Sequence, residues 1–275
     1  MPRGLFKIGR SWVVGALAAM GMLFGAPAAA PEGTGLTVAG STLWTKAHDI
    51  KIRGTLAYCA FMNGLRILDI TDVQKPALLS QLFLGGGFAV DVTDHLAFVA
   101  AAGKGLAVID VSDPKVPVLR CLWNTPGEAR DVVVRGSTAF VADGSAGLLA
   151  VDVRDPASPR LAGSWDSPGE ASGLVLRGTL AYLAAGSAGL QIVNVENPAR
   201  PSLVGAFDTD GTAEGVALSG HYAYIADGAA GIKIIDVGAP SAPKQIAARS
   251  ASGYAHSVSA EGKLLGVGSL YDGGY

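Results

Sequence analysis

Residues 130–171 read RDVVVRGSTAFVADGSAGLLAVDVRDPASPRLAGSWDSPGEA, and the same pattern then starts again. This 42-residue unit contains four short apolar runs that Gly, Asp and Pro residues separate. Short runs rich in Val, Leu, Ile and aromatic side chains, bounded by Gly or Pro, predict β-strands. The 38 glycines of the chain argue against helices, because glycine weakens a helix. The unit therefore predicts four consecutive strands.

The unit recurs along most of the chain. Copies begin near Ala47, Ala89, Ala129, Ala171 and Ala213, a partial sixth begins at Ala255, and the spacings are 42, 40, 42, 42 and 42 residues. The runs are apolar on both faces, so each small sheet should be covered on both sides. We predict an all-β fold, a β-propeller of four-stranded antiparallel blades. Its repeats lie near residues 47–88, 89–128, 129–170, 171–212 and 213–254, with a partial repeat at 255–275.

The connections between the runs have their own signatures. Asp113-Pro114 and Asp155-Pro156 are each followed by a further proline, which predicts a rigid turn between the third and fourth strands. Asp143-Gly144 and Asp227-Gly228 favour the positive φ of a tight turn between the second and third strands. Repeated Gly, Asp and Pro residues are therefore interpreted as architectural.

The third run carries a family resemblance. Leu106-Ala-Val-Ile-Asp-Val-Ser-Asp-Pro114 and the longer stretch Tyr224–Val237, followed by Pro240 and Pro243, resemble the LVIVD repeat of bacterial and archaeal exported or cell-surface propeller proteins. The resemblance covers roughly residues 47–275 and implies a β-propeller outside the cytoplasm. It implies no single activity, since the family has none that can be carried over.

The two ends of the repeat region bear on closure of the ring. Gly35–Trp44 has the length and apolar content of an isolated fourth strand that would complete the last blade. The sixth unit supplies only two strands, predicted at His256–Glu261 and Lys263–Leu270. Unpaired strand edges are avoided in natural proteins. We therefore expect a chain truncated from six or seven blades.

The first residues have the three parts of a signal peptide. Arg3, Lys7 and Arg10 precede an apolar run at Trp12–Phe24, and Ala26-Pro27-Ala28 provides small residues for cleavage. The run is shorter than the ~20 residues that span a bilayer, which argues against the alternative of a membrane anchor. We predict a signal peptide at 1–28, a propeller domain at 29–275 without a stable membrane span, and a secreted, periplasmic or cell-surface location in a bacterium.

The composition of the chain limits the classes of partner that it is expected to bind and the state of its two cysteines. The chain has 21 basic and 23 acidic residues, and no basic cluster is interleaved with aromatics, so nucleic acid is not an expected partner. Cys59 stands at an apolar position of the repeat and Cys121 at a small one, in different units. We expect two buried free thiols and no disulfide.

Standard catalytic, nucleotide-binding and metal-binding motifs are absent from the sequence. The sequence thus predicts no catalytic residue, no resident metal and no cofactor. The favoured interpretation is a scaffold that binds an unknown protein or carbohydrate partner at the mouth of the propeller channel. The alternative is a periplasmic or extracellular hydrolase or lyase with its site at the same mouth.

The candidate site comes from comparing the repeats with one another. Residues beside the recurrent alanine vary from unit to unit, whereas scaffold positions repeat. We predict ligand binding by a ring at the channel mouth, formed by Lys46, His48, Phe88, Glu128, Arg130, Glu170, Glu214, Tyr254 and His256. In this register Phe88 precedes the alanine and Val90 follows it. The competing interpretation is that exposed loop positions simply vary.

A six-bladed ring would make one further arrangement possible. His48 and His256 would then lie on adjacent inner strands with Glu214 on the next blade, so that two imidazoles and a carboxylate would surround a zinc ion. This arrangement is a hypothesis about closure, and it fails if the two histidines are far apart.

Overall fold

The computed structural model describes residues 47–251, 253–261 and 264–270. The predicted signal peptide at 1–28, the predicted strand Gly35–Trp44 and the candidate residue Lys46 lie outside these residues. In the part of the chain that the structure describes, no helix is long and apolar enough to cross a membrane.

The described chain forms twenty-two strands in successive antiparallel sheets, each of which is one blade. Blades 1 and 2 comprise β1 (Ala47–Arg53), β2 (Leu56–Phe61), β3 (Gly64–Asp69), β4 (Ala77–Phe83), β5 (Ala89–Val92), β6 (Leu96–Ala100), β7 (Leu106–Asp110) and β8 (Val118–Trp123). Blades 3 and 4 comprise β9 (Asp131–Arg135), β10 (Thr138–Ala142), β11 (Leu148–Asp152), β12 (Arg160–Trp165), β13 (Gly173–Arg177), β14 (Leu180–Ala184), β15 (Leu190–Asn194) and β16 (Ser202–Phe207). Blade 5 comprises β17 (Gly215–Ser219), β18 (Tyr222–Ala226), β19 (Ile232–Asp236) and β20 (Lys244–Arg249), and blade 6 comprises β21 (Tyr254–Glu261) and β22 (Leu264–Leu270).

The blades are arranged around their first strands. Neighbouring first strands contact one another in series, from β1 to β5, β9, β13, β17 and β21. Fourth strands are largely exposed, as in β8 and β12, and therefore lie outermost. Five blades have four strands in sequence order, and the described part of blade 6 has two. The predicted β-propeller is thus confirmed, including the two-stranded sixth unit.

The core lies between blades rather than within one. Phe140 of β10 packs with Leu174 and Leu183 of blade 4, and Tyr182 of β14 packs with Ile225 of blade 5. The corresponding aromatic of β18, Tyr224, is only half-buried. Each aromatic is covered by the following blade, and the described part of blade 6 is too small to cover Tyr224 completely.

One position of the fourth strand is small for a packing reason. The turn between the third and fourth strands of each following blade lies against it: a Cβ added to Gly163 would be 2.4 Å from the Pro198 carbonyl oxygen, and the Ser80 hydroxyl donates to the Pro114 carbonyl at 2.6 Å. Cys121 occupies this position and is half-buried, whereas Cys59 is fully buried. Both thiols are free as predicted, but the expected full burial of Cys121 is wrong, because an outermost strand retains solvent on one side.

The predicted turn chemistry is present. Asp110 ends a third strand and accepts a hydrogen bond from the Ser112 backbone N–H at 2.9 Å, and Asp113 accepts one from the Lys115 N–H at 2.9 Å. The Asp side chains therefore cap the end of the third strand and the proline turn that follows. Their role is architectural.

The register of the second unit differs from the prediction by two residues. The backbone N–H of Phe88 donates to the Ala100 carbonyl at 2.8 Å, and Arg130 makes the corresponding 2.8 Å bond to Ala142. Phe88 therefore occupies the place of Arg130, which the sequence comparison had assigned to Val90. Gly87 occupies the place of Ala129.

The shortened unit is the first one, not the second. In blade 1 only Met62 and Asn63 separate Phe61 from Gly64, whereas three residues separate Asp143 from Gly147 in blade 3. The connection to the next blade is also one residue shorter, since six residues lie between Leu82 and Ala89 and seven lie between the equivalent residues Trp165 and Gly173. Alignment on the recurrent alanine misplaced the gap, because Ala89 is not equivalent to Ala129. Ala89 lies two residues after Gly87 and occupies the place of Asp131, which lies two residues after Ala129.

Candidate functional site

One face of the propeller brings two kinds of connection together. The turns between second and third strands pair with the start of the next blade through the isolated bridges Gly144–Ala171, Gly186–Ala213 and Gly228–Ala255. The connections from fourth to first strands therefore lie beside the turns of the preceding blade. We call this side the mouth face.

The ring predicted from the sequence lies on the mouth face. The residue after the recurrent alanine, which we call the second position, is His48, Phe88, Arg130, Ser172, Glu214 and His256 in blades 1 to 6. The residue before the alanine is Glu128, Glu170, Thr212 and Tyr254 in blades 3 to 6. The described members contact one another across alternate junctions between blades.

At the junction of blades 1 and 2, the contact is aromatic. The His48 and Phe88 rings stack with centroids 5.2 Å apart and planes inclined by 24°. Phe88 remains 39% exposed, and the glycines at 85–87 leave no side chain beside it. A flat aromatic surface therefore faces solvent here.

At the junction of blades 3 and 4, the contact is ionic. Arg130 lies 2.8 Å from a Glu170 carboxylate oxygen and 3.6 Å from one of Glu128, and its guanidinium donates to the Ser172 hydroxyl at 3.1 Å. Both glutamates are exposed, so water screens these pairs. The cluster holds Arg130 in place and leaves carboxylate oxygens available to a partner.

At the junction of blades 5 and 6, one carboxylate joins two neighbours. The Tyr254 hydroxyl donates to Glu214 Oε1 at 2.9 Å, and His256 Nδ1 lies 3.7 Å from Glu214 Oε2. Burial, and then the hydrogen bond to Glu214, raise the pKa of Tyr254. Glu214 thereby orients a phenol and an imidazole on one blade.

The zinc arrangement is not formed. No group of three histidine, cysteine or carboxylate side chains among the described residues is placed to hold a metal ion. Glu214 meets His256, but His48 stacks on Phe88 instead. The reason is that no extensive contact joins β21 to β1 within the described strands.

The channel wall below the ring contains a cluster that the sequence analysis missed. Asp49 Oδ2 accepts from the Val90 N–H at 2.9 Å, and Asp131 Oδ2 accepts from the Leu174 N–H at 2.7 Å, so each carboxylate links its own first strand to the next one. Burial, with the nearby charge of Asp49, raises the pKa of Asp131 to about 7. The available signal was the aspartate at the start of the first run, which blades 1 and 3 share as Asp49 and Asp131.

Lys51 is the counter-ion of this cluster. Its ammonium lies 3.9 Å from Asp91, and although burial opposes its charge, Asp49 and the other two carboxylates raise its pKa. Asp91 in turn accepts from the Val134 N–H at 2.7 Å. The first three junctions are therefore each linked by an aspartate.

Glycine replaces aspartate in blades 4 and 5. A Cβ added to Gly173 would lie 2.9 Å from the Glu214 carbonyl oxygen, and one added to Gly215 would lie 3.2 Å from that of His256. Neighbouring first strands approach closely here, so that a side chain at Gly173 would force the backbone to shift and one at Gly215 would make a tight contact. The channel wall is consequently polar over blades 1 to 3 and made of backbone over blades 4 and 5.

Repeated four-stranded blades with a variable mouth ring define the class of protein, a repeat β-propeller. A family model for the LVIVD repeat matches residues 45–82, 87–125, 126–167, 168–209 and 210–247. The chain belongs to the LVIVD repeat family, as its third strands indicated.

Two solved structures are similar in fold. A functionally unknown protein from Desulfotomaculum acetoxidans DSM 771 has a TM-score of 0.65 and 14% identity, with 78% of this chain and 73% of that chain covered. The computationally designed Ika8 protein has a TM-score of 0.63 and 10% identity, with 82% of this chain and 68% of that chain covered. No curated protein matches significantly. These likenesses concern the fold alone.

Proposed function

We propose that the protein is an exported propeller scaffold that binds a macromolecular partner at the mouth face and does not transform it. One observation carries the proposal: the second position holds five different residue types across the six described blades, while the scaffold around it repeats. A position that only shaped the fold would be expected to repeat with the scaffold.

The chemistry of the ring suits recognition. Aromatic, ionic and hydrogen-bonding groups alternate around the mouth, at the stacked pair His48–Phe88, at Arg130 and at Glu214. Binding sites combine apolar contact with a few well-placed polar groups in this way. The partner class from the sequence, a protein or a carbohydrate outside the cytoplasm, is compatible with these groups.

Export rests on the three-part pattern of the first 28 residues. Expression of the full chain in a bacterium with an intact secretion pathway should yield a mature protein that begins at Ala29. Intact-mass measurement of the periplasmic and medium fractions tests this, and a soluble cytoplasmic product that retains Met1 would exclude export.

A second function is favoured by one cluster. Glu214 orients His256 and accepts the Tyr254 hydrogen bond, an arrangement that a hydrolase or lyase would use for proton transfer. If this alternative holds, turnover of an exported polymer should be lost in His256→Ala and retained in His221→Ala, a histidine beside the opposite turn of blade 5.

The binding proposal is tested by capture. Immobilised wild-type protein is exposed to bacterial cell-envelope extract, and bound protein and polysaccharide are assayed separately. Arg130→Ala and Phe88→Ala should reduce the captured material about tenfold, as for central interface residues. The matched control is Arg200→Ala, an exposed arginine in the opposite proline turn, which should change nothing. Equal capture by the ring variants and the control would exclude the mouth face.

A further inference from the structure

The mouth face at the junction of blades 1 and 2 exposes three large apolar side chains. Met62, Phe83 and Phe88 are 62%, 69% and 39% exposed. Met62 lies in the turn after β2, Phe83 ends β4, and Phe88 precedes β5. Asn63, beside Met62, accepts backbone hydrogen bonds from Leu84 and Gly85 at 2.7 and 3.3 Å, so the turn and the connection are adjacent. We call Met62, Phe83 and Phe88 the blade 1 apolar patch.

The scaffold does not require this patch. The place of Phe83 is taken by Asn124, Asp166 and Asp208 in blades 2 to 4, and the place of Phe88 by Arg130, Ser172 and Glu214 in blades 3 to 5. The other blades thus carry polar groups where blade 1 and the start of blade 2 carry apolar ones. Large apolar side chains in exposed positions that need not be apolar are typical of an interaction site.

The exposed charges on the rest of the mouth face are mainly acidic, and three of the carboxylates have basic partners: Arg130 pairs with Glu128 and Glu170, and Lys233 pairs with Asp210. The described connections of this face expose the carboxylates of Glu128, Asp166, Glu170, Asp208 and Asp210. On the same connections the described basic residues are Lys104 and Arg130. An acidic surface of this kind attracts cationic partners and repels anionic ones.

We propose that the blade 1 apolar patch and the acidic connections together bind a basic polypeptide segment with an aromatic or aliphatic anchor. This inference rests on the proposed function and specifies its partner. Methionine and aromatic side chains are enriched in the cores of protein interfaces, where they are surrounded by polar groups. The anchor would contact Met62 and Phe88, and the cationic residues would reach Asp166 and Asp208.

Other occupants fit less well. A second copy that docked mouth to mouth would bring the acidic connections of both copies together, and an anionic lipid surface would be repelled in the same way. A neutral sugar chain could stack on Phe88, but Met62 and Phe83 offer it no hydrogen-bonding group. A cationic polypeptide satisfies both the apolar and the charged parts of the surface.

The test uses the full chain and a fluorescently labelled peptide of alternating Lys and Phe residues. Its controls are the same peptide with Glu in place of Lys, and cellohexaose as a neutral sugar chain. Fluorescence anisotropy should show that the Lys–Phe peptide binds the protein, and this binding should weaken as the salt concentration increases. The Glu–Phe peptide should not bind, and unlabelled cellohexaose should not compete.

Variants locate the contact. Met62→Ser with Phe88→Ser should weaken peptide binding at least tenfold, and Asp166→Asn with Asp208→Asn should weaken it less and reduce its salt dependence. The matched control is Leu203→Ser, an outer-strand residue that is 52% exposed, which should leave affinity unchanged. Circular dichroism establishes that each variant remains folded.

Several outcomes overturn the inference. They are equal binding of the Glu–Phe peptide, competition by cellohexaose, an equal loss in Leu203→Ser, or no peptide binding up to about 1 mM. If the envelope capture still depends on Arg130 and Phe88 in that case, the mouth face binds a different class of partner and the proposed function survives. If neither experiment depends on the mouth face, both proposals fail.

Discussion

The junction between blades 3 and 4 and the junction between blades 5 and 6 start from the same repeat and are built differently. At the first, Asp131 links the two inner strands, and Phe140 is fully buried. At the second, Gly215 replaces the aspartate, and Tyr224 is half-buried. A repeat therefore specifies a blade, whereas the stability of each junction depends on what the following blade supplies.

The largest expected effect concerns the aromatic of the second strand. Phe140→Ala should lower the free energy of unfolding by about 3–5 kcal/mol, because it leaves a cavity between two complete blades. Tyr224→Ala should cost about 1–2 kcal/mol, because its side chain is already partly in water. Urea unfolding followed by tryptophan fluorescence measures both. Equal losses would mean that blade 6 covers Tyr224 as fully as blade 4 covers Phe140.

At the small position of the fourth strand, a substitution in blade 3 should likewise reduce stability more than a substitution in blade 5. Gly163→Ala forces a Cβ against the Pro198 carbonyl oxygen, which lies 2.4 Å from the ideal Cβ position, and should cost about 1–3 kcal/mol through overpacking. The equivalent residue of blade 5 is already alanine, Ala247, and Ala247→Ser should be nearly neutral. Thermal melts of the two variants compare the positions, and an unchanged Gly163→Ala melt would contradict the close approach.

The carboxylate of Asp131 should make the stability of the junction between blades 3 and 4 sensitive to pH. Burial raises the pKa of this carboxyl group from its ordinary value of 3.8 to about 7 in the folded protein, so the folded state binds more protons than the unfolded state between these values. Stability should therefore fall as pH rises from about 4 to about 7 and change little above that. Melting temperatures across this range measure the slope.

Asp131→Asn removes the titrating group and should flatten this pH dependence. The readout is the slope, because the amide also alters the hydrogen bonds to Val132 and Leu174 and will shift the melting temperature at every pH. An unchanged slope in Asp131→Asn would assign the pH dependence to another group. Asp49, whose pKa burial also raises, is the next residue to substitute.

The smallest effect is expected on the opposite face. Arg135 donates to the Gly178 carbonyl and, at 2.8 Å, to the Val195 carbonyl of the next blade, and Arg135→Ala should cost about 1 kcal/mol. Ser219 stands at this place in blade 5, so Ser219→Ala should change stability by less than about 0.5 kcal/mol. Chemical denaturation compares the two, and equal effects would show that the arginine link contributes nothing.

Sequence reasoning recovered the fold because the signals were local and repeated. Strand identity and the proline turns could be read from one unit, and the small position at Gly163 from comparing units, since each follows from backbone geometry or from packing that recurs in every blade. The family followed from the third strands for the same reason.

The site was recovered in part. The second-position ring was found because its variation stands out against repeated neighbours, and Phe88 was included although its register was wrong. A gap between repeats cannot be placed from a single recurrent alanine. Residues of two blades are equivalent when their backbones pair in the same way, and a shared residue type does not establish this. The channel cluster of Asp49, Lys51, Asp91 and Asp131 was missed, because its members come from three successive blades that are brought together only by the tertiary structure.

The amino-acid sequence is enough to specify the four strands of each blade, their turns and the face on which variation is concentrated, because these depend on interactions within about 42 residues. Which variable residues meet depends on the packing of neighbouring blades in the folded protein. This packing pairs His48 with Phe88, Arg130 with Glu170 and Glu214 with His256, and it leaves Met62 and Phe83 exposed beside them. Those contacts join residues of neighbouring blades, and their distances depend on how closely the inner strands approach, which no single repeat encodes.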